Sequence, residues 1–251
     1  MVKKKSNKKS KKKISKKINK SQKKSSKKTT KSSKKMKKKS TTRRTKPSKN
    51  PYISDENAFD LLKKARISTP NQIFCKKEKD LEQIEKKIGY PCVLKVSGKA
   101  ISSRMEVKGI KKASDYNHAT KFFKDLKKTK GVDKIIIQEH VEGAELIVTS
   151  SVNKDFGYVI SIGIGGNYGK IANGVSFRIA PIEKDEVRKM LSELKAWAVI
   201  KSSTRVNIEK LSEEIMKISR YAMKNKINQI KIDPLICNKD NCFAVDAKII
   251  L

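Results

Sequence analysis

The chain has 251 residues, with 62 Lys and Arg against 25 Asp and Glu, a formal net charge of +37. Residues 1–50 hold 25 of the cations and no acid, so the other 201 residues carry only +12. No apolar run approaches the ~18–20 residues of a membrane span, no secretory signal opens the chain, and the four Cys lack metal-finger spacing, which points to a reduced, cytoplasmic protein.

Within residues 1–50 the apolar side chains are Met1, Val2, Ile14, Ile18 and Met36, set among ten Ser and five Thr. So few cannot offset the entropy of ordering a backbone, and the segment reads as a disordered polybasic tail. Pro47 and Pro51 flank the change in composition, which places a folded body over residues 51–251. Ser54 followed by Asp55 and Glu56 starts a helix with acids at its positive end, and Ala58, Leu61, Leu62 and Ala65 supply its apolar face. A second helix carries Leu81, Ile84 and Ile88 and stops at Gly89. After Pro91, residues 92–96 form a short buried strand. Ser114 is expected to cap a third helix with Ala119, Phe122, Phe123 and Leu126 inside.

Strands follow over 134–141, 145–152 and 158–164, then helices over 183–194 and 208–224, the latter with Leu211, Ile215, Ile218 and Ala222 at helical spacing. The chain closes on a hairpin, 229–236 and 243–250, turned by Asn238-Lys239-Asp240-Asn241. Interleaved helices and strands joined partly by short turns imply a mixed α/β body rather than a doubly wound parallel sheet.

Three features bear on chemistry. Lys95 interrupts an apolar strand and precedes a small, polar loop over 97–104, an arrangement suited to an anion; the alternative is a strand-end lysine turned to solvent. Gly163-Ile164-Gly165-Gly166 follows a strand, where glycines either let a ligand approach or make a bulge. Centring the terminal turn between Lys239 and Asp240 sets Asp233 opposite Asp246, two carboxylates spaced to share a divalent cation unless one is solvated at the sheet edge. The same register opposes Cys237 and Cys242, expected to be reduced. His118 and His140 lack catalytic company.

Motifs over 53–251 resemble the ATP-grasp β subunit of ADP-forming acetyl-CoA (acyl-CoA) synthetases, relatives of succinyl-CoA synthetase. Residues 88–95, IGYPCVLK, are similar to that family's IGYPVVLK; 163–166, GIGG, to GLGG; 175–182, VSFRIAPI, to VSFRLAPL; and 232–235 with 245–249, IDPL and VDAKI, to LNPL and VDARI. The resemblance implies a two-lobed ATP-grasp fold, with a small lobe over about 89–141 and a large lobe over 51–88 plus 142–251. It implies ATP or ADP bound by Lys95, by Gly98, Ser102, Ser103 and Arg104 of the following loop, by a hinge at Gln138, Glu139 and Val141, and by Glu145, Gly165, Gly166 and Arg178. It implies Mg²⁺ on Asp233 and Asp246.

The implied function is the nucleotide-binding β subunit of an ADP-forming acid–CoA ligase, working with a separate CoA-binding α subunit because no CoA-binding domain precedes residue 51. The chain departs from the family where a phosphorylatable His is expected, since 101–104 read ISSR; Lys170 and Lys231 stand where acids are expected, and Asn173-Gly174 replace the family's Lys-Asp before VSF, which loses a third acid. The catalytic residue is therefore unassigned. The alternatives are a degenerate ATP-grasp protein that binds nucleotide or a partner without turnover, and polyanion (RNA) binding through the tail.

Overall fold

The computed structural model describes residues 51–166, Gly169 and 174–251. The expectations for the tail, and for Lys170 and Asn173, lie outside the described residues.

Local chemistry accounts for the first elements. Helix α1 (Asp55–Lys64) begins where the Ser54 hydroxyl accepts from the Asn57 amide at 3.3 Å, and it has Asp55 and Glu56 in its first turn and Lys63 and Lys64 in its last. Strand β1 (Gln72–Cys75) follows, then a 3₁₀ segment (Glu78–Gln83) running into the one-turn helix α2 (Ile84–Lys87). Gly89 ends this unit with φ of 81°, a conformation that costs glycine little. The expected second helix is thus two 3₁₀ turns plus one α turn.

Strands β2 (Cys92–Ser97) and β3 (Ile110–Ala113), helix α3 (Tyr116–Lys127) and strand β4 (Lys134–Glu139) complete an antiparallel sheet ordered β1-β4-β2-β3. The cap of α3 is Asp115 rather than Ser114: the Asp115 carboxylate accepts from the His118 amide at 2.9 Å, and the Ser114 hydroxyl donates to Asp115 at 2.8 Å and lies 2.9 Å from His118 Nδ1. Cys75, Leu81, Ile84, Leu94, Phe123 and Ile137 share one core.

Residues 72–87 join the four-stranded sheet and its core, outside the 89–141 bounds expected for the small lobe, while Phe74 also packs against the larger core. The edge strands β1 and β3 escaped detection because four residues with one buried position each show no alternation.

The second sheet comprises β5 (Ala144–Asn153), β6 (Gly157–Ile164), β7 (Val175–Ile179), β8 (Gln229–Cys237), β9 (Cys242–Ala244) and β10 (Ala247–Ile250). Its order is β10-β8-β5-β6-β7, with β9 also on β8. Helices α4 (Lys184–Ser192), α5 (Trp197–Thr204) and α6 (Ile208–Lys224) bury one face. On β5, Leu146, Val148 and Ser150 point into that core while the residues between them are more open. Helix α6 matches the expected span, with Leu211, Ile215, Ile218 and Ala222 fully buried on its inner stripe.

The terminal hairpin takes the expected register, with Cys237 opposite Cys242 and Ile232 opposite Ala247, and both cysteines are free thiols. Its second arm breaks at Val245 and Asp246 into β9 and β10. Among the described residues no helix is long and apolar enough to cross a membrane.

These packing differences predict unequal truncation costs. Ile215→Ala should lower unfolding stability by about 2–5 kcal/mol, whereas Phe177→Ala on the open face of β7 should stay within about 0.5 kcal/mol, both read from urea unfolding curves.

Candidate functional site

The break in the last hairpin leaves Val245 and Asp246 beside the middle of β2, and there the two sheets meet through polar side chains. Lys95 is 5% exposed. Its ammonium donates to Gln138 Oε1 at 2.6 Å and to the Val245 carbonyl at 3.0 Å, both neutral acceptors. Gln138 in turn donates to Gln72 Oε1 at 3.0 Å and to the Val245 carbonyl at 3.3 Å. Burial pushes the Lys95 ammonium down to about 8; the nearby Asp246 opposes that shift, Arg104 adds to it, and Asp55 opposes it.

Arg104 lies in the loop between β2 and β3 and is also buried. Its Nε donates to the Val96 carbonyl at 2.8 Å, its Nη2 meets Asp55 Oδ1 at 2.8 Å, and its Nη1 meets Asp246 Oδ2. Asp55, in the first turn of α1, also accepts from the Ser97 hydroxyl at 2.6 Å and faces Lys248 of β10 at 3.5 Å. Burial alone would raise the Asp55 carboxyl, but Arg104, Lys248 and the Ser97 hydroxyl outweigh it and hold the group below the usual carboxylate range. The cluster therefore sets three cations, Lys95, Arg104 and Lys248, against two carboxylates, Asp55 and Asp246. The surplus positive charge sits in a low-dielectric junction, which favours an anion. A cleft of about 980 Å³ opens beside it, lined in part by Asp55, Ser97, Gly98, Lys134 and Lys248.

The remaining expected site residues divide in three. Glu145 is brought against the glycine turn: the Gly165 amide donates to the Glu145 carbonyl at 2.7 Å, and at Gly166, with φ of 58°, a Cβ would lie 2.7 Å from Glu145 Oε2. Asp233 lies across from Asp246, donating its amide to the Asp246 carbonyl at 3.0 Å, while its carboxylate meets Lys231 at 2.9 Å.

In the second group, side chains serve local structure. Gly98 is required because a Cβ there would stand 2.0 Å from the Gly131 carbonyl. Ser102 is exposed, and Ser103 accepts from the Glu106 amide at 3.3 Å. The Glu139 carboxylate accepts from the Asn71 amide at 3.3 Å, and Val141 lies in the connection from β4 to β5.

Arg178 is the exception. Alternation on β7 turns it, with Ser176, toward Glu193, and the structure does not bring it to the cluster. Conversely, Asp55, Lys248 and Gln72 belong to the site though the sequence does not point to them, and Ser97, the first residue of the polar loop, joins them through Asp55. Asp55 reads in sequence as an ordinary first-turn acid, and nothing local announces its long-range partners.

The donors suit a hard cation. Asp246 Oδ1 is buried without a hydrogen-bond partner, and Asp233 supplies a second carboxylate across the hairpin. Among the described residues no group of three or more His, Cys, Asp or Glu forms a complete cage. Two carboxylates completed by phosphate oxygens and water is the usual shell of Mg²⁺.

An ATP-grasp domain model matches residues 45–251. The β subunit of ADP-forming acetate–CoA ligase I from Pyrococcus furiosus is 29% identical over 221 residues, covering 83% of this chain and 95% of that subunit. The ADP-forming 4-hydroxybutyrate–CoA ligase of Nitrosopumilus maritimus is 28% identical over 82% of this chain, which spans only 32% of that longer enzyme. A Ca. Korarchaeum cryptofilum acetyl-coenzyme A synthetase, solved with coenzyme A and Ca-AMPCP, shares the fold at a TM-score of 0.72, 24% identity, and coverage of 79% of this chain and 93% of that one.

The Asp55 pair makes a pH-dependent prediction. Asp55→Asn leaves buried Arg104 half-compensated and should cost about 3 kcal/mol at pH 7 in urea unfolding. The folded-state pKa of Asp55 is depressed, so its contribution is complete above the unfolded carboxyl pKa and lost as pH falls through the folded value. The gap between wild type and variant should therefore close below about pH 3.8.

Proposed function

Because the chain belongs to the ATP-grasp domain family, we propose that it is the nucleotide-binding β subunit of an ADP-forming acid–CoA ligase. The overall reaction is acyl-CoA + ADP + phosphate ⇌ acid + ATP + CoA. A CoA-binding α subunit is the implied partner, and the naming of the Pyrococcus furiosus relative as a β subunit supports that assignment. The observation that carries the reading is Lys95, a buried ammonium whose acceptors are both neutral. Such a group is desolvated with no carboxylate bonded to it, since Asp246 and Asp55 act on it from a distance and are paired with Arg104, and a phosphate oxygen would supply a direct counter-charge.

In this reading Lys95 binds and orients phosphate, and Arg104 and Lys248 hold the surrounding potential positive. The Gln138–Val141 segment, where β4 leaves the small sheet, offers backbone groups to the adenine edge. Glu145 and Gly165-Gly166 wall the opposite side. Asp233 and Asp246 would hold Mg²⁺, which when bound neutralises phosphate charge during transfer. Positioning and charge stabilisation of this kind supply most of what phosphoryl transfer needs from a protein.

A second reading is favoured by one observation: the loop between β2 and β3 carries no histidine, and Arg104 there is tied to two carboxylates. A chain so built binds nucleotide without relaying a phosphoryl group.

Two measurements separate these readings. Calorimetric titration of the full chain with ADP and Mg²⁺ should show binding that Lys95→Met weakens at least about tenfold while leaving the unfolding curve intact, since one charged phosphate contact is removed. Co-expression with the CoA-binding subunit should then give ATP formation dependent on acyl-CoA. Binding without turnover in a folded complex selects the second reading, and absence of any nucleotide binding rejects both.

A further inference from the structure

The two oxygens of Asp246 are used differently. Oδ2 meets the Arg104 guanidinium, whereas Oδ1 is buried and accepts nothing. A buried carboxylate oxygen without a donor is costly, which marks it as a ligand position. The cation already present is not incidental. Arg104 is fixed from three sides, by the Val96 carbonyl, Asp55 and Asp246, and its own carbonyl accepts from the Gly109 amide at 2.8 Å, which closes the loop that carries it. On the other arm of the hairpin, Lys231 meets the Asp233 carboxylate at 2.9 Å in a more exposed pair. Each carboxylate of the proposed cation pair therefore has a protein cation on one oxygen.

A divalent ion entering at Asp246 Oδ1 would stand close to a guanidinium that has no route to deprotonation. Like-charge repulsion and competition for the same carboxylate then act together, and burial keeps both from being screened by salt. We propose that Arg104 is a specificity-determining residue, a resident cation that competes with divalent metal for Asp246 and keeps metal affinity low in the nucleotide-free protein. The inference rests on the reading of Asp233 and Asp246 as metal ligands.

The test is binding of Mn²⁺ alone to the full chain, followed by loss of the free-ion signal in electron paramagnetic resonance, without nucleotide. Arg104→Gln should bind Mn²⁺ about tenfold or more tightly than wild type, because one adjacent positive charge is removed. Arg104→Lys, which keeps the charge, should remain near wild type. Arg104→Gln strands Asp55, so the paired variant Arg104→Gln with Asp55→Asn removes both members of that ion pair, and it should show the same gain if the single variant fails to fold. Adding Asp246→Asn to either should abolish the gain. Equal or weaker Mn²⁺ binding in a folded Arg104→Gln or paired variant, with wild-type binding still lost in Asp246→Asn, overturns the competition while leaving the metal assignment standing. Absence of Mn²⁺ binding in every variant overturns both.

Discussion

The Arg104 guanidinium ties together the three parts of the chain that make the site. It spans the first turn of α1, the strand β2 that it follows, and the break between β9 and β10. Without it, Asp55 would keep Lys248 and the Ser97 hydroxyl, and Asp246 would keep the nearby charge of Lys95. Removing one partner from a buried network of this kind costs several kcal/mol, while the network as a whole adds little net stability. Its consequence is geometric. The four-stranded and six-stranded sheets meet in one arrangement, with Lys95 held between Gln138 and the Val245 carbonyl.

That arrangement also sets the chemistry. A cluster of three cations and two carboxylates, away from bulk water, selects for anions with many oxygens and gives them little reason to exchange for solvent. The unpartnered oxygen of Asp246 adds the opposite preference at one point, a place for positive charge within an otherwise electropositive junction. A nucleotide phosphate accompanied by a cation satisfies both demands at once. Neither demand requires the absent histidine. The site's binding character and its capacity to relay a phosphoryl group are therefore separable properties of this chain.

Much of the fold was legible because periodicity was strong where burial was one-sided. Helix α6 and the terminal hairpin register follow from Leu211, Ile215, Ile218 and Ala222 and from the central turn at Asn238–Asn241. The hairpin turn is held by the Asn238 side chain accepting from the amides of Asp240 and Asn241 at 3.0 and 2.9 Å, a local signal that sequence carries well. Strands β1 and β3 were not legible, because edge strands of four residues are specified by the neighbours they pair with. The site divides similarly. Lys95, Asp233 and Asp246 stand out as charges in apolar strands. Asp55 and Lys248 do not, since their roles arise only when α1 and β10 are folded beside β2, and the side on which Arg178 emerges was decided by the pleat of β7.

The most direct measurement is a crystal structure of the full chain with ADP and Mg²⁺. The expected result is a terminal phosphate oxygen within hydrogen-bond distance of Lys95 Nζ and the cation on Asp246, at the junction of the two sheets. Nucleotide bound elsewhere, or a Lys95 still bonded only to Gln138 and Val245 beside bound nucleotide, would contradict it.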